Sequence, residues 1–138
     1  MRWSDLDAYG HVNNARFLTL YEEARVAMMF VGARQAGVTS FEDGIVASRH
    51  EVDYLRPVDY GDPVRIELWI DDLKTSRFTV AYELYDGELL ASRARSVLVP
   101  FDLTKQRPRR LSEAEQDFLK PWLESKATPP SSATWPTT

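Results

Sequence analysis

The sequence predicts an α+β domain in which an antiparallel sheet wraps around one long central helix, with a shorter helix near the C-terminus. Three observations predict it: one long apolar helix pattern over residues 14–36, four consecutive strand patterns with short links, and a capped amphipathic pattern over residues 111–124. Long strands joined by short links pair with their neighbours in the chain, which gives an antiparallel meander. A helix that is apolar on most sides has to be buried, and the sheet is the element that can cover it.

The central helix pattern begins after two asparagines and ends at a glycine. Asn13 or Asn14 is suited to the N-cap, because a short amide side chain accepts hydrogen bonds from the free amides of the first turn. Gly37 is the predicted C-terminal stop, since glycine readily adopts the left-handed conformation that ends a helix. Between them, apolar side chains recur at spacings of three and four: Phe17, Leu20, Tyr21, Ala24, Ala27, Met28 and Val31.

Four strand patterns follow the helix, over residues 45–55, 64–71, 76–85 and 89–101. The second alternates cleanly between an apolar and a polar face, and Asp86-Gly87 between the last two is a strong hairpin signal. Ser112 and Glu115 form a capping box, which predicts the start of the last helix. Pro121 lies inside that helix pattern and is expected to kink or fray it.

Composition limits the class of protein. One domain is expected over residues 1–124, and the Ser-, Thr- and Pro-rich residues 125–138 are predicted to be a disordered tail. The formal net charge of −4 argues against binding of nucleic acid or of a membrane surface. The absence of cysteine excludes disulfides, thiolate metal sites and cysteine nucleophiles, and suits a cytoplasmic location. No apolar run approaches the roughly 18 residues that span a bilayer.

The polar segment before the central helix, residues 4–14, holds the candidate catalytic groups. It places Asp7 and His11 beside a helix N-terminus, where free amides and a partial positive charge can stabilise a carbonyl oxygen that becomes negative. Asp7 can act as a general base or as a carboxylate nucleophile, or it can be a turn residue that caps backbone groups. His11 can donate to a substrate carbonyl or make a structural hydrogen bond. Glu22 and Glu23, on the polar strip of the helix, are either solvated or supply a second carboxylate.

Candidate binding residues lie elsewhere in the chain. One basic cluster stands out in this acidic sequence: Lys105, Arg107, Arg109 and Arg110. It can bind a phosphate-bearing ligand, or it can balance the acidic helix that follows. Phe17 and Tyr21 can line an apolar pocket, although the same residues are expected in the core, and His50 is expected to pack in the core or an interface. The sequence contains no glycine-rich phosphate loop. It also contains no paired-histidine spacing, so no metal site is predicted.

Residues 5–25, DLDAYGHVNNARFLTLYEEAR, resemble the signature of the hotdog-fold thioesterases of the 4-hydroxybenzoyl-CoA thioesterase type. Two later stretches are similar to the same family: YLRPVDYGDPV (54–64) and SRFTVAYELYDGELLASRARSVLVPFD (76–102). The resemblance implies a hotdog fold, with a five-stranded antiparallel sheet around one helix, and assembly into homodimers or homotetramers. It also implies hydrolysis of acyl-CoA or acyl-carrier-protein thioesters at the subunit interface without a metal. The family normally has a further strand before Trp3, so either the start is truncated or this sheet edge is short.

The resemblance also implies roles for single residues. Asp7 matches the family's catalytic aspartate. Five further residues match its turn glycine and its HVNN motif: Gly10, His11, Val12, Asn13 and Asn14. The related plant acyl-carrier-protein thioesterases have an asparagine where this chain has Tyr9, so the role of an amide does not carry over to that position.

The sequence therefore predicts a hydrolase of acyl-CoA or acyl-carrier-protein thioesters. The thioester carbonyl would lie at the helix N-terminus, backbone amides of residues 10–14 would bind the oxyanion, and Asp7 would activate water or attack to form a mixed anhydride. No cofactor is expected, because coenzyme A is part of the substrate. The alternatives are a non-catalytic acyl-thioester-binding hotdog protein, a hotdog enoyl-CoA hydratase or dehydratase using His11 with a carboxylate, and an interaction module. The predicted catalytic residues are Asp7, His11 and Asn14, and the predicted substrate-binding residues are Tyr9, Phe17, Tyr21, Arg107, Arg109 and Arg110.

Overall fold

The computed structural model describes residues 14–58, 63–123 and 135–136. Within these ranges the chain runs from the central helix through four long strands to a short C-terminal helix, and the sheet wraps around the central helix. The predicted α+β layout is confirmed. No helix in the described ranges combines the length and the apolar character needed to cross a membrane.

The central helix is continuous but is not α-helical throughout. Its first part, α1, spans Asn14–Val26; a π-helical turn covers Ala27–Gly32; and α2 spans Ala33–Gln35. A π turn holds more residues per turn than an α-helix, so it changes which side chains face the sheet. Ala27, Met28 and Met29 are consecutive in sequence and all are buried. The prediction of one long helix is confirmed, and the π turn explains how its nearly all-apolar second half is packed.

The helix ends where the glycine signal predicted. Gly37 has φ +85°, the left-handed conformation that glycine adopts without steric cost. The Val38 N–H donates to the Ala33 carbonyl at 2.7 Å, and the Gly37 N–H donates to the Arg34 carbonyl at 3.0 Å. This pair of hydrogen bonds is a Schellman cap. A 3₁₀ turn over Ser40–Asp43 then leads into the sheet.

Four long antiparallel strands form the sheet: β1 (Ile45–Tyr54), β2 (Pro63–Leu73), β3 (Phe78–Asp86) and β4 (Leu89–Asp102). Their spatial order is β1-β4-β3-β2, so β1 lies at an edge and β4 is central. The β3–β4 hairpin turns at Gly87, with φ +64°, as predicted. The strand predicted from residue 76 starts at Phe78 instead, because the Lys74 N–H donates to the Arg77 carbonyl at 2.9 Å and closes the preceding turn.

Two short strands complete the pairing. β5 (Arg107–Pro108) pairs with the end of β4, and β6 (Trp135–Pro136) pairs with Pro63 and Val64 of β2. β6 belongs to the segment that was predicted to be disordered, so these two residues depart from that prediction. The outer edge of β2 offers unpaired backbone groups, which a short extended segment can satisfy. The other residues of 125–138 lie outside the described ranges.

The C-terminal helix α3 spans Glu113–Leu119, shorter than the predicted 111–124. Its capping box is confirmed: the Glu115 N–H donates to Ser112 Oγ at 3.1 Å, and the Ser112 N–H donates to Glu115 Oε1 at 2.8 Å. The α-helix stops at Leu119 and tightens into a 3₁₀ turn over Lys120–Trp122, which contains Pro121. The proline therefore ends the regular helix, as expected from its missing amide hydrogen.

The hydrophobic core lies between the central helix and one face of the sheet. The alternation predicted for β2 is confirmed, since every second residue faces the helix and is at most 1% exposed: Val64, Ile66, Leu68 and Ile70. Phe78, Val80 and Leu84 of β3 are equally buried on the same face. Central β4 contributes the small buried side chains Ser92 and Ser96.

Candidate active site

The helix N-terminus that the sequence predicted as an anion site lies at Asn14, the first residue of α1. The first backbone amides of a helix have no intrahelical acceptor, and the helix dipole makes this end partly positive. Asn14 itself is described only by its backbone. The other predicted residues of the polar segment lie outside the described ranges, and their roles stay predictions: Asp7, Tyr9, Gly10, His11, Val12 and Asn13.

Phe17 and Tyr21, one and two turns into α1, are core residues. Each is 2% exposed. The Phe17 ring centroid lies 5.4 Å from that of Tyr54, and the Tyr21 ring centroid lies 4.9 Å from that of Tyr82. Of the two interpretations that the sequence allowed, the structure displays core packing. These rings fix the start of α1 against the sheet, and their direct contact with a substrate stays a prediction.

A polar network that sequence reasoning missed lies between α1 and the sheet. Arg25 Nη1 donates to Tyr82 Oη at 3.0 Å, and His50 Nδ1 lies 2.7 Å from Ser96 Oγ. Tyr82 and Ser96 are 1% and 2% exposed. The partners come from α1, β3, β1 and β4, and they lie 57 and 46 positions apart in the chain. No local periodicity links such residues; the buried serines on an otherwise apolar strand face were the available signal.

Burial sets the protonation of this network. It raises the pKa of the Tyr82 phenol, although the Arg25 guanidinium opposes this effect. Burial likewise raises the pKa of the Tyr21 phenol, so both tyrosines are neutral at physiological pH. Partial burial lowers the pKa of His50, and the positive charge of Arg25 lowers it further, against the opposing carboxylate of Glu22. The network at neutral pH therefore has one fixed positive charge, on Arg25.

A cavity of about 240 Å³ opens beside this network. One helix face forms its first wall, and the start of β1 with one residue of β4 forms the second. The lining residues are Glu22, Arg25, Val26, Met29, Phe30, Ile45, Ala47 and Leu98. Met29 and Phe30 reach it from the π turn, so the irregular part of the helix shapes the cavity. Two of the eight lining residues, Glu22 and Arg25, are charged, so the cavity has both polar and apolar walls.

A second cavity, of about 420 Å³, lies on the opposite face of the sheet. Its lining is largely charged and includes Arg93, which donates from Nε to Asp53 Oδ2 at 2.9 Å. Arg95 lies 3.4 Å from Asp71 at the same face. These pairs are more than half exposed on the arginine side, and exposed ion pairs interact weakly.

Arg109, one of the predicted phosphate-binding residues, is engaged in a structural contact. Its guanidinium donates to both carboxylate oxygens of Glu115, at 2.7 Å and 2.9 Å, and to the Ser40 carbonyl at 3.2 Å. Arg107 and Arg110, with Lys105, are exposed. The hypothesis of a phosphate site is therefore carried forward for these three residues, while Arg109 fixes α3 to the 3₁₀ turn.

Within one chain, the exposed basic residues and the start of α1 lie near opposite ends of β1. Phe17 contacts Tyr54 at the end of β1. The Arg109 N–H donates to the carbonyl of Pro100, which pairs with Ile45 at the start of β1. The ten residues of β1 span about 30 Å at the usual rise per residue. Within one chain, the predicted oxyanion site and the predicted phosphate site therefore lie at opposite ends of β1.

Among the described residues, no group of three or more histidine or acidic side chains is arranged to hold a metal ion.

The model of the thioesterase-like superfamily matches residues 1–123 of the chain. The chain belongs to this superfamily. The match includes the residues before α1, the central helix, all four long strands and α3.

Named relatives of this thioesterase agree with the assignment. A 1,4-dihydroxy-2-naphthoyl-CoA hydrolase from Synechococcus elongatus is 28% identical over 123 residues, which cover 87% of this chain and 90% of that protein. A thioesterase from Thermus thermophilus, solved in complex with coenzyme A and Zn, is 32% identical, with a TM-score of 0.75 and 91% of each chain covered. A predicted thioesterase from Bacillus stearothermophilus is 25% identical, with a TM-score of 0.76 and coverage of 89% and 91%.

The fold and the enzyme class predicted from the sequence are confirmed by these likenesses. The chain is a hotdog-fold thioesterase. The identity of the thioester and the roles of single residues are finer statements, and they follow as proposals.

Proposed function

We propose that this thioesterase hydrolyses acyl-CoA, with Asp7 as the catalytic carboxylate and the start of α1 as the oxyanion site. The observation that carries the proposal is the family match over residues 1–123, which includes the segment from Asp7 to the start of α1 at Asn14. The named CoA hydrolase and the coenzyme A in the Thermus thermophilus structure favour a CoA thioester over an acyl-carrier-protein thioester.

The proposed reaction begins with the thioester carbonyl at the N-terminus of α1. Backbone amides of residues 10–14 and the helix dipole stabilise the negative oxygen that forms during attack. Asp7 either removes a proton from the attacking water or attacks the carbonyl itself to form a mixed anhydride that water then opens. His11 and Asn14 orient the thioester. The C–S bond breaks and the coenzyme A thiolate takes up a proton, so that acid and thiol leave. This chemistry draws on no cofactor beyond the coenzyme A of the substrate.

We further propose that the enzyme acts as a homodimer or homotetramer. β1 is an edge strand whose residues are mostly exposed, and within the described ranges it pairs only with β4. A long free edge with unpaired amides and carbonyls is prone to aggregation unless another strand covers it. A second copy of β1, related by a two-fold axis, supplies such a strand.

Replacing Asp7 by Asn tests the catalytic assignment. The substitution keeps the size and most of the hydrogen-bonding capacity of the side chain, so the fold should be retained. It removes the carboxylate, and loss of a general base typically lowers the rate about 10²–10⁴-fold. The fall should appear in kcat, because the carboxylate acts in the transition state. Release of free thiol from a panel of acyl-CoAs measures both kcat and KM.

Asp5→Asn is the matched control, two residues away in the same polar segment, and it should change kcat little. A folded Asp7→Asn enzyme within a few-fold of the wild-type kcat would remove Asp7 from the mechanism and direct attention to Glu22 and Glu23. A wild-type protein that binds acyl-CoA without releasing thiol would instead be a non-catalytic binder. Addition of water to an enoyl-CoA would indicate a hydratase.

A further inference from the structure

One side of α1, next to the edge strand β1, carries apolar and charged side chains that stay accessible. Leu18 and Val26 are 40% and 38% exposed, and Glu22, one helical turn from each of them, is exposed as well. Side chains four positions apart are neighbours on a helix, so these three form one strip. Arg25 lies beside them and lines the cavity between α1 and β1 together with Glu22 and Val26. We call these four residues the α1 strip.

The two charges of the α1 strip have no ion-pair partner within the described ranges. Arg25 donates from Nη1 to the neutral phenol of Tyr82 at 3.0 Å, which uses one of the five N–H groups of a guanidinium. Glu22 makes neither a hydrogen bond nor an ion pair in the described part of the chain. The neighbouring charges Arg16 and Glu23, by contrast, lie 3.6 Å apart on the same helix. An acid and a base of the α1 strip are therefore both able to pair with charges of another chain.

The charges of the α1 strip lie at the level of the middle of β1. The start of α1 is near the end of β1, because the ring centroids of Phe17 and Tyr54 are 5.4 Å apart. Further along the helix, Glu22 and Arg25 both act on His50, the sixth residue of β1: burial lowers the pKa of His50, Arg25 lowers it further and Glu22 raises it. The helix therefore runs along β1 in the opposite direction.

The proposed two-fold pairing of β1 brings these charges together. An axis that pairs two copies of β1 over their ten residues passes near the middle of the strand, at Arg49 or His50. Antiparallel strands of one sheet are related by an axis perpendicular to the sheet, so both central helices lie on the same side of it. Because Glu22 and Arg25 lie at the level of the axis and the two helices run in opposite directions, Arg25 of each copy faces Glu22 of the other.

We propose that the α1 strip binds the α1 strip of a second copy, with two reciprocal ion pairs between Arg25 of each copy and Glu22 of the other. This inference rests on the proposed dimer and adds the groups that recognise the partner. A two-fold interface uses the same patch on both copies, so it requires an acid and a base at positions that exchange across the axis. Leu18 and Val26 add apolar contact, and charges beside apolar side chains are the composition of a protein interface.

Charge reversal tests the reciprocal ion pairs. Glu22→Arg places like positive charges opposite each other across the axis, and Arg25→Glu places like negative charges there. Each variant alone should dimerise about 100-fold more weakly than the wild type, as measured by analytical ultracentrifugation. Glu88→Arg makes the same charge change as Glu22→Arg in the exposed turn between β3 and β4, and it should dimerise like the wild type.

Co-expression of the two variants with different affinity tags is the decisive experiment. In a mixed dimer every Arg25 or substituted position 22 of one chain faces an acidic group of the other, so mixed dimers should form almost exclusively. Two tagged wild-type chains should give about half mixed dimers by random assortment. Native mass spectrometry measures the mixed fraction. An ion pair between Glu22 and Arg25 of the same chain would not favour mixing, because each variant chain would keep its own repulsion.

The outcomes separate this inference from the proposed function. A random share of mixed dimers would overturn the reciprocal ion pairs while leaving the wild-type dimer and its thioester hydrolysis intact, and a monomeric wild-type protein would overturn the dimer itself. Glu22→Cys gives a second test that leaves Arg25 and its contact with Tyr82 unchanged, in a chain that has no other cysteine. A short bismaleimide should cross-link two Glu22→Cys chains and should not cross-link Glu88→Cys chains. A Glu22→Cys dimer without this cross-link would contradict the proposed contact.

Discussion

At the scale of single residues, the most constrained charge in the described chain is Glu115. It is 0% exposed, it accepts two hydrogen bonds from Arg109, and it accepts a third from the Ser112 N–H at 2.8 Å. A buried carboxylate is tolerated because these donors replace water. The same contacts join α3 to the 3₁₀ turn before β1 through the Ser40 carbonyl. One acidic side chain thus fixes the C-terminal helix to the start of the sheet.

Removing one partner of this pair should destabilise the fold. In Glu115→Ala the Arg109 guanidinium loses its carboxylate and the helix loses half of its capping box. The free energy of unfolding should fall by about 3 kcal/mol, as for other buried pairs that lose one partner. Urea titration followed by circular dichroism measures it. Asp53→Ala, which breaks an exposed pair with Arg93, is the control and should have little effect. Equal effects of the two substitutions would contradict a structural role for the buried pair.

The same carboxylate should make stability depend on pH. Burial alone would raise the pKa of Glu115, but the hydrogen bonds from Arg109 and Ser112 outweigh it and hold the pKa below its ordinary value. A carboxyl with a lowered pKa in the folded state stabilises the fold above its unfolded pKa, and this contribution is lost as the pH falls through the folded value. The difference in unfolding free energy between wild type and Glu115→Gln should therefore shrink between pH 6 and pH 3.

Local residue contacts were predictable from the sequence, whereas distant ones were not. The capping box of Ser112 and Glu115 spans three positions, and its hydrogen bonds are set by helix geometry alone. Arg109 was predicted either to bind phosphate or to balance the acidic helix that follows, and its pair with Glu115 matches the second interpretation. The bidentate geometry of that pair could not be derived from the charge pattern. Arg25 and Tyr82 meet only when the helix is packed on β3, which is a consequence of the whole fold.

At the scale of elements, the bounds of the strands were predicted to within a few residues, because alternating apolar and polar residues are typical of a half-buried strand. The π turn over Ala27–Gly32 was not predicted. A nearly all-apolar run predicts that a helix is buried, but it does not predict which side chains face the sheet. An extra residue in one turn therefore cannot be recognised from the pattern of apolar residues. Its consequence is local: consecutive Met28 and Met29 are both buried, and Met29 lines the cavity.

The entry into β1 depends on Gly44. Its φ is +148°, and a Cβ atom built there would collide with the Phe101 carbonyl oxygen. The Gly44 carbonyl accepts from the Phe101 N–H at 3.0 Å, so this residue also holds β1 in register with β4. Gly44→Ala should lower the free energy of unfolding by more than about 3 kcal/mol, from backbone strain and steric overlap together.

Gly37→Ala separates these two causes. Gly37 also has a positive φ, of +85°, but nothing lies within 4 Å of an added Cβ. Only the conformational cost of about 1–2 kcal/mol is then expected. Thermal and urea unfolding of both variants gives the comparison. A similar loss at both positions would show that steric overlap with Phe101 adds little to the destabilisation at Gly44.

At the scale of the whole molecule, the order of helix, meander and second helix could be predicted because each element has its own periodic signal and the links are short. The pairing of Trp135–Pro136 with β2 could not, since a two-residue strand carries no periodicity. The distance between the start of α1 and the basic residues could not either. It follows from the direction of the helix over the sheet. A CoA thioester bound at both predicted sites of one chain would have to span the length of β1.

A two-fold axis that pairs two β1 edges resolves this separation. Such pairing is antiparallel, so the end of β1 near α1 in one copy lies beside the start of β1 in the other, where Arg107 and Arg110 are. We therefore expect the phosphates of CoA bound at one Asp7 to contact the basic residues of the second copy. Arg107→Ala combined with Arg110→Ala should raise KM for acyl-CoA and should change KM little for a pantetheine thioester, which lacks the nucleotide phosphates.

Mixed dimers test which copy supplies the arginines. Chains carrying Asp7→Asn and chains carrying both arginine substitutions are co-expressed with different affinity tags, and the mixed species is purified on both. If the groups come from different copies, one of its two sites has an intact Asp7 and intact arginines, while the other site lacks both. The mixed dimer should then recover the wild-type KM for acyl-CoA with about half of the wild-type kcat per dimer. If each chain used its own arginines, the active site of the mixed dimer would always lack them, and only the high KM of the arginine variant would be measured.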